Sequence, residues 1–144
     1  MPKQTHSEID QMIREARPTN QDLVRRDVIL AIYTKTSNLI LKIASYYYEN
    51  GVCKELLCLC GTIACLYKGN QYNIPIDIYF QQDHPLDAPL VFVRPTPNMY
   101  ISTTRNTKPD GSVIVPYLRN WQHPKSDLQT LLIDLSEVFG QSPP

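Results

Sequence analysis

The chain has 144 residues, with 14 Lys and Arg against 14 Asp and Glu, so its formal net charge is zero. One domain with a real core is expected at this length. The balanced charge argues against nucleic-acid binding by counterion release and against polybasic attachment to a membrane, since both need clustered Lys and Arg. The longest apolar stretches, such as Val28–Tyr33 and Leu56–Cys60, fall far short of the roughly 20 residues that cross a bilayer. Residues 1–22 are polar with no apolar middle region, so no secretory signal peptide is expected.

The first helix is expected from Ser7, a fair cap, with Ile9, Met12 and Ile13 on one face and Pro18 ending it. A second helix follows Thr19 or Asn20, where Leu23, Val24, Ile29, Leu30 and Tyr33 define a buried stripe. A meander comes next. Leu39, Leu41 and Ile43 alternate with Ile40, Lys42 and Ala44, and Tyr46-Tyr47-Tyr48 extends the run. Asn50-Gly51 is a tight-turn signal, because it supplies positive φ cheaply. Residues 54–67 read as a second strand, interrupted near Gly61. Lys68-Gly69-Asn70-Gln71 reads as a turn, and Tyr72, Ile74, Ile76, Ile78 and Phe80 mark a third strand.

Composition then shifts. Pro85, Pro89, Pro95 and Pro97 punctuate a short strand over 90–94, because proline cannot donate to a ladder. Residues 102–112 read as a mobile loop. Ser126 and Asp127 are placed to start a last helix, with Leu128, Leu131, Leu132, Leu135, Val138 and Phe139 on one face and Gly140 as its stop. The tail from Gln141 to Pro144 reads as the start of a linker or a chain end. The expected class is α+β: a four-stranded antiparallel sheet, two N-terminal helices and one C-terminal helix.

All four cysteines, Cys53, Cys58, Cys60 and Cys65, fall on or beside the second strand. Cys58 and Cys60 share one face there, too far apart for an easy bridge. Reduced thiols are expected, as in the cytosol. The C-x4-C-x-C-x4-C spacing lacks the paired ligands of a zinc site, and His6, His84 and His123 are scattered, so no metal is expected. Cys as a small buried hydrophobe is the plain reading.

Catalytic chemistry finds little footing. A nucleophilic thiol needs a helix N-terminus, a metal or a cation beside it, and the apolar strand offers none. Ser126, His123 and Asp127 are neighbours in sequence, whereas triads are assembled from separate elements. No P-loop, G-x-G-x-x-G or H-E-x-x-H occurs. No cofactor is implied. Tyr67, Tyr72, Tyr79, Tyr100 and Tyr117 surround the Pro-rich region. Exposed, they would suit a proline-recognising groove. Packed inward, they would fill the core with their hydroxyls at the surface.

The run Gly61-Thr62-Ile63, then Tyr67 to Ile76 (Tyr-Lys-Gly-Asn-Gln-Tyr-Asn-Ile-Pro-Ile), then His84 to Val93 (His-Pro-Leu-Asp-Ala-Pro-Leu-Val-Phe-Val) resembles the ubiquitin-conjugating fold. With Val93-Arg94-Pro95-Thr96, Met99, Pro116-Tyr117-Leu118, Trp121, His123-Pro124, Ser126-Asp127-Leu128 and Val138-Phe139-Gly140, the chain is similar to the ubiquitin-conjugating enzyme variant (UEV) domains of the tumour-susceptibility ESCRT-I subunit family. The resemblance runs from about residue 7 to the end, which sets a domain over 1–140 and a linker start at 141–144. Aligned with active conjugating enzymes, Ile114 takes the nucleophile position. Isoleucine forms no thioester, so the resemblance implies a chain without catalytic residues. The His-Pro-Asn segment of such enzymes is also absent, with Pro97-Asn98-Met99-Tyr100 in its region.

The resemblance implies two binding sites. A groove for Pro-Thr/Ser-Ala-Pro peptides maps to Thr62, Tyr67, Tyr72, Asn73, Ile74, Pro75, Thr96 and Met99. A ubiquitin site maps to Tyr47, Glu49 and Asn50 at the first hairpin turn and to Tyr79 and Phe92 on the sheet. It further implies a cytoplasmic adaptor, peripheral on endosomes, that sorts ubiquitylated cargo and serves membrane budding. Other ESCRT-I subunits would be partners through regions beyond this chain. The alternative is a variant that partners an active conjugating enzyme and directs ubiquitin chain linkage.

Overall fold

In the computed structural model, the described residues are 4–34, 37–94 and 106–141. The elements run α1 (His6–Ala16), α2 (Gln21–Ile32), β1 (Ser37–Tyr47), β2 (Cys53–Tyr67), β3 (Asn70–Tyr79), β4 (Leu90–Val93), α3 (Pro116–Arg119) and α4 (Leu128–Gln141). The strands form one antiparallel sheet in the order β1-β2-β3-β4. The expected α+β class therefore holds, with the one-turn α3 as an addition.

The first helix starts earlier than expected. Thr5, not Ser7, is its cap. The Glu8 amide donates to Thr5 Oγ1 at 3.1 Å, and the Glu8 carboxylate accepts from the Thr5 amide at 3.3 Å. This reciprocal box satisfies two amides that the first turn leaves unpaired. Arg17, in the left-handed region at φ 53°, closes the helix just before Pro18.

The helices cover one face of the sheet. Strand alternation sends Leu39 and Leu41, Leu57, Leu59 and Ile63, and Ile74, Ile76 and Ile78 to that face, where all are buried. From α4 come Leu128, Leu131, Leu132, Leu135 and Phe139, each fully buried. A buried Leu or Phe contributes about 2 kcal/mol, so this stripe outweighs any end cap in fixing α4. A second, smaller cluster lies on the opposite face: Leu56, Cys58 and Tyr79, flanked by Ala44, Tyr46, Leu90 and Phe92.

Strand β2 is not interrupted at Gly61. Its pairing runs unbroken on both sides, with Gly61 opposite Leu39 and Ile76. The glycine is there because β1 presses close: a Cβ at Gly61 would lie 2.0 Å from the Asn38 carbonyl oxygen. Nor does Gly140 stop α4, which continues to Gln141. A Cβ at Gly140 would meet the Leu66 carbonyl oxygen at 2.6 Å. Pairing with β1 ends at Ser37–Ile63, and beyond it α4 takes up the β2 backbone, with Ser136 Oγ donating to the Ala64 carbonyl at 2.7 Å.

Turns follow the same logic. Gly51, at φ 86°, closes the β1–β2 hairpin by donating to Tyr48 O at 2.9 Å. The second hairpin turns on Lys68 and Gly69 alone, and Asn70 already belongs to β3. The last part of the expected loop is ordered: Thr107 bridges Val113, Ser112 bridges Phe92, and Lys108 to Gly111 form the turn between them. Residues 95–105, with Thr96, Met99 and Tyr100, lie outside the described residues.

The sequence signature near the C-terminus proves to be a bracing system. Trp121 Nε1 donates to the Pro85 carbonyl at 2.8 Å and ties this segment to the β3–β4 connection. Tyr117 OH accepts the Asp127 amide at 3.0 Å, and Asp127 Oδ1 accepts the Thr130 amide at 2.7 Å. Asp127 is thus the helix cap. Ser126 instead accepts the Gln122 amide within the preceding turn, at 2.9 Å.

Candidate functional site

Two exposed aromatic surfaces lie at different places on the sheet. The first is at the β2–β3 hairpin. Cys65 pairs with Tyr72 in the ladder, which brings Tyr67 and Tyr72 onto one side with ring centroids 6.4 Å apart. Tyr72 is 45% exposed, beyond the reach of the buried stripe. Lys68 Nζ lies 5.1 Å from the Tyr67 ring centre, a cation over an aromatic face. Thr62 pairs with Pro75, and Ala64 with Asn73, so alternation turns Thr62, Asn73 and Pro75 to the opposite side of the strands. Ile74 is buried in the core, and its backbone pairs with Ile63 in the ladder. Six of the eight residues implied for the peptide groove lie on this one hairpin, with Tyr67 and Tyr72 on one side of it, Thr62, Asn73 and Pro75 on the other and Ile74 in the core, while Thr96 and Met99 fall outside the described residues.

The second surface is on the face away from the helices. A groove of about 350 Å³ is lined by Tyr46, Tyr47, Glu49, Tyr79, Phe92 and Arg94, with Ser45 and Asp110 at its edge. Four of the five residues implied for the ubiquitin site therefore come together here. The fifth, Asn50, is at the hairpin turn, where its side-chain oxygen accepts the Val52 amide at 3.0 Å. Tyr47 is 71% exposed, whereas Tyr79 is 7% exposed and forms the floor.

Tyr46 is the hub that the sequence reading missed. Its ring centroid lies 4.8 Å from Tyr48, 5.0 Å from Tyr79 and 6.0 Å from Phe92. Such tilted and edge-on contacts stabilise the aromatic cluster beyond burial alone. Burial pushes the Tyr46 hydroxyl's pKa up, and its neighbours Tyr48 and Tyr79 push it further. It stays a neutral donor. The Arg94 guanidinium stacks over Phe92 at 4.7 Å and pairs with Asp77 at 2.9 Å. The groove thus joins an apolar aromatic floor to a fixed cation and, at Glu49, an anion.

Ile114 lies elsewhere, half-buried in a separate groove of about 300 Å³ between β4, the turn after Lys108 and α3. Among the described residues, no Cys, His, Asp or Glu lines that groove. All four cysteines are free and lie on β2. Among the described residues, no group of three or more His, Cys, Asp or Glu is placed to hold a metal ion, and no helix is long and apolar enough to cross a membrane.

A sequence model of the UEV domain matches residues 8–144. The chain belongs to the UEV domain family. Its UEV domain is 39% identical over 124 residues to the human tumor susceptibility gene 101 protein, a match covering 86% of this chain and 32% of that protein. The chain thus spans about a third of that relative's length. Among solved structures, it is similar to the yeast Vps23 UEV domain in complex with a Vps27 PSDP peptide, with a TM-score of 0.81 at 15% identity, covering 100% of this chain and 98% of that one. It is also similar to a complex of the Vps23 UEV with ubiquitin, with a TM-score of 0.74 at 16% identity, covering 96% and 94%. These likenesses establish the UEV fold.

Proposed function

We propose that this UEV domain is a non-catalytic adaptor with two separate sites. One takes Pro-Thr/Ser-Ala-Pro peptides at Thr62, Tyr67, Tyr72, Asn73, Ile74, Pro75, Thr96 and Met99. The other takes ubiquitin at Tyr47, Glu49, Asn50, Tyr79 and Phe92, with Tyr46 holding the aromatic floor. The observation that carries the reading is the separation of the Tyr67–Tyr72 pair from the Tyr46–Tyr79–Phe92 groove. The names of the similar structures support it, since one describes a PSDP peptide complex and the other a ubiquitin complex.

The physics of each site suits its ligand. A proline-rich segment is stiff before it binds, so a small aromatic slot gives useful, micromolar affinity. Ubiquitin would lay an apolar patch over the aromatic floor, with Glu49 and Arg94 setting its orientation. Catalysis by thioester is excluded in this reading, because the resemblance puts Ile114 at the nucleophile position and none of residues 66–144 is a cysteine. The domain would then link ubiquitylated cargo to motif-bearing adaptors at the endosome, as part of ESCRT-I in endosomal sorting and membrane budding. Assembly with other ESCRT-I subunits would rest on segments other than residues 1–144.

The test is a double dissociation by calorimetry. Tyr67→Ala and Met99→Ala should abolish binding of a Pro-Thr-Ala-Pro peptide and leave ubiquitin affinity unchanged. Phe92→Ala should do the reverse. Retained peptide affinity in both groove variants would overturn the site assignment. Absence of binding to either ligand, with capture of an active conjugating enzyme, would favour the linkage-directing alternative.

A further inference from the structure

The groove around Ile114 has a defined shape and charge. Its floor is apolar and incompletely covered: Leu90, Ile114 and Leu118 are all half-buried. Two cations, Lys108 and Arg119, line it, and both are exposed. Neither forms an ion pair among the described residues. All 14 Asp and Glu side chains of the chain fall within the described segments, and none lines this groove. Asp110, nearest in sequence, is turned toward the Ser112 amide and hydroxyl at 2.9 and 2.6 Å, and lines the aromatic groove instead. Lys108 adds to the stabilisation of that carboxylate without pairing with it.

The chain as a whole is neutral, so this local excess is not spillover from general basicity. We propose that the Ile114 groove docks an extended peptide segment in which acidic residues alternate with apolar ones. Apolar side chains would enter over Leu90, Ile114 and Leu118, and carboxylates would meet Lys108 and the fork of Arg119. The volume, about 300 Å³, suits side chains of a peptide rather than a large ligand. Two cations on an apolar floor are too few for a phosphate backbone or an anionic bilayer, each of which needs a longer basic track. Among the described residues the groove shares only Phe92 with the aromatic groove, so the two can be filled by different partners.

The experiment is an NMR titration of the whole chain with an acetylated, amidated Glu-Leu-Asp-Leu-Glu peptide and its neutral analogue Gln-Leu-Asn-Leu-Gln. Saturable shifts at Leu90, Ile114 and Leu118 are expected with the acidic peptide. The neutral analogue, and the Lys108→Glu, Arg119→Glu double variant, should each bind about tenfold more weakly, and added salt should weaken the acidic peptide further. Both substitutions are at exposed positions, and an unchanged spectrum of the free variant checks its fold. Three outcomes would overturn the proposal: no saturable shifts at these residues, affinity indifferent to the double reversal, or shifts there with anionic vesicles or a short RNA in place of the peptide.

Discussion

His84 and Asp27, 57 positions apart in the chain, meet in the core with the histidine Nε2 2.8 Å from the carboxylate Oδ2. Both side chains are essentially inaccessible, at 0% and 1%. The pair ties α2 to the connection after β3, beside Phe80 and Trp121. Among the described residues the other carboxylate oxygen has no hydrogen-bond partner, and Arg26 lies 3.6 Å from it. Removing one partner of a buried pair leaves a costly unpaired group. His84→Ala should therefore lower unfolding free energy by about 3 kcal/mol in urea denaturation. A loss below about 1 kcal/mol would mean that the pair is not a structural tie.

Gly140→Ala tests the contact between α4 and β2. Alanine is the better helix former by up to about 1 kcal/mol, so propensity alone predicts stabilisation. The 2.6 Å approach to the Leu66 carbonyl predicts the opposite, because backbone on both sides must move. A net destabilisation of about 1–2 kcal/mol is expected in chemical denaturation. A stabilised variant would show that the helix end yields freely.

Thiol reactivity should follow burial. Burial pushes the Cys58 thiol up to about 12, and it pushes Cys60 and Cys65 upward as well. Cys53 is exposed. Because the thiolate is the reacting form, iodoacetamide near pH 8 should label Cys53 first and Cys58 only on unfolding. Peptide mass mapping reads the order. Early labelling of Cys58 would contradict the second cluster's packing.

The turn before Val113 should report on pH. The Ser112 hydroxyl and amide hold the Asp110 carboxyl below the ordinary range; burial opposes them, and Lys108 nearby adds a lesser pull downward. A folded-state value below the unfolded one makes a contribution that is present above the unfolded pKa and lost as pH falls through the folded one. Carboxyl NMR should place the Asp110 midpoint below that of an ordinary Asp, and Ser112→Ala should raise it. A midpoint indifferent to that substitution would refute the assignment.

Local pattern carried much of this fold. Ile74, Ile76 and Ile78 alternate as a half-buried strand must, and the leucines of α4 follow helical spacing. Asn50-Gly51 announced its turn. The misplaced helix start had a visible signal, Thr5 three residues before Glu8, which is the capping-box spacing. Gly61 and Gly140 misled for a different reason. Each is glycine because another element's carbonyl comes close, Asn38 in one case and Leu66 in the other, and no local pattern encodes such an approach. The Asp27–His84 pair and the role of Tyr46 share that limit. Three tyrosines in a row show alternation, but only the sheet register brings Tyr46 to Tyr79 and Phe92.

The central claim is that two ligands occupy two separate surfaces of one UEV domain. The direct measurement is an NMR titration of a single labelled sample, first with a Pro-Thr-Ala-Pro peptide and then with ubiquitin. Peptide shifts are expected at Tyr67, Tyr72, Asn73 and Met99. Ubiquitin, added to the peptide-saturated sample, should shift Tyr46, Tyr47, Glu49, Asn50 and Phe92 and leave the peptide signals in place. Flat titrations with both ligands, or displacement of the peptide by ubiquitin, would contradict it.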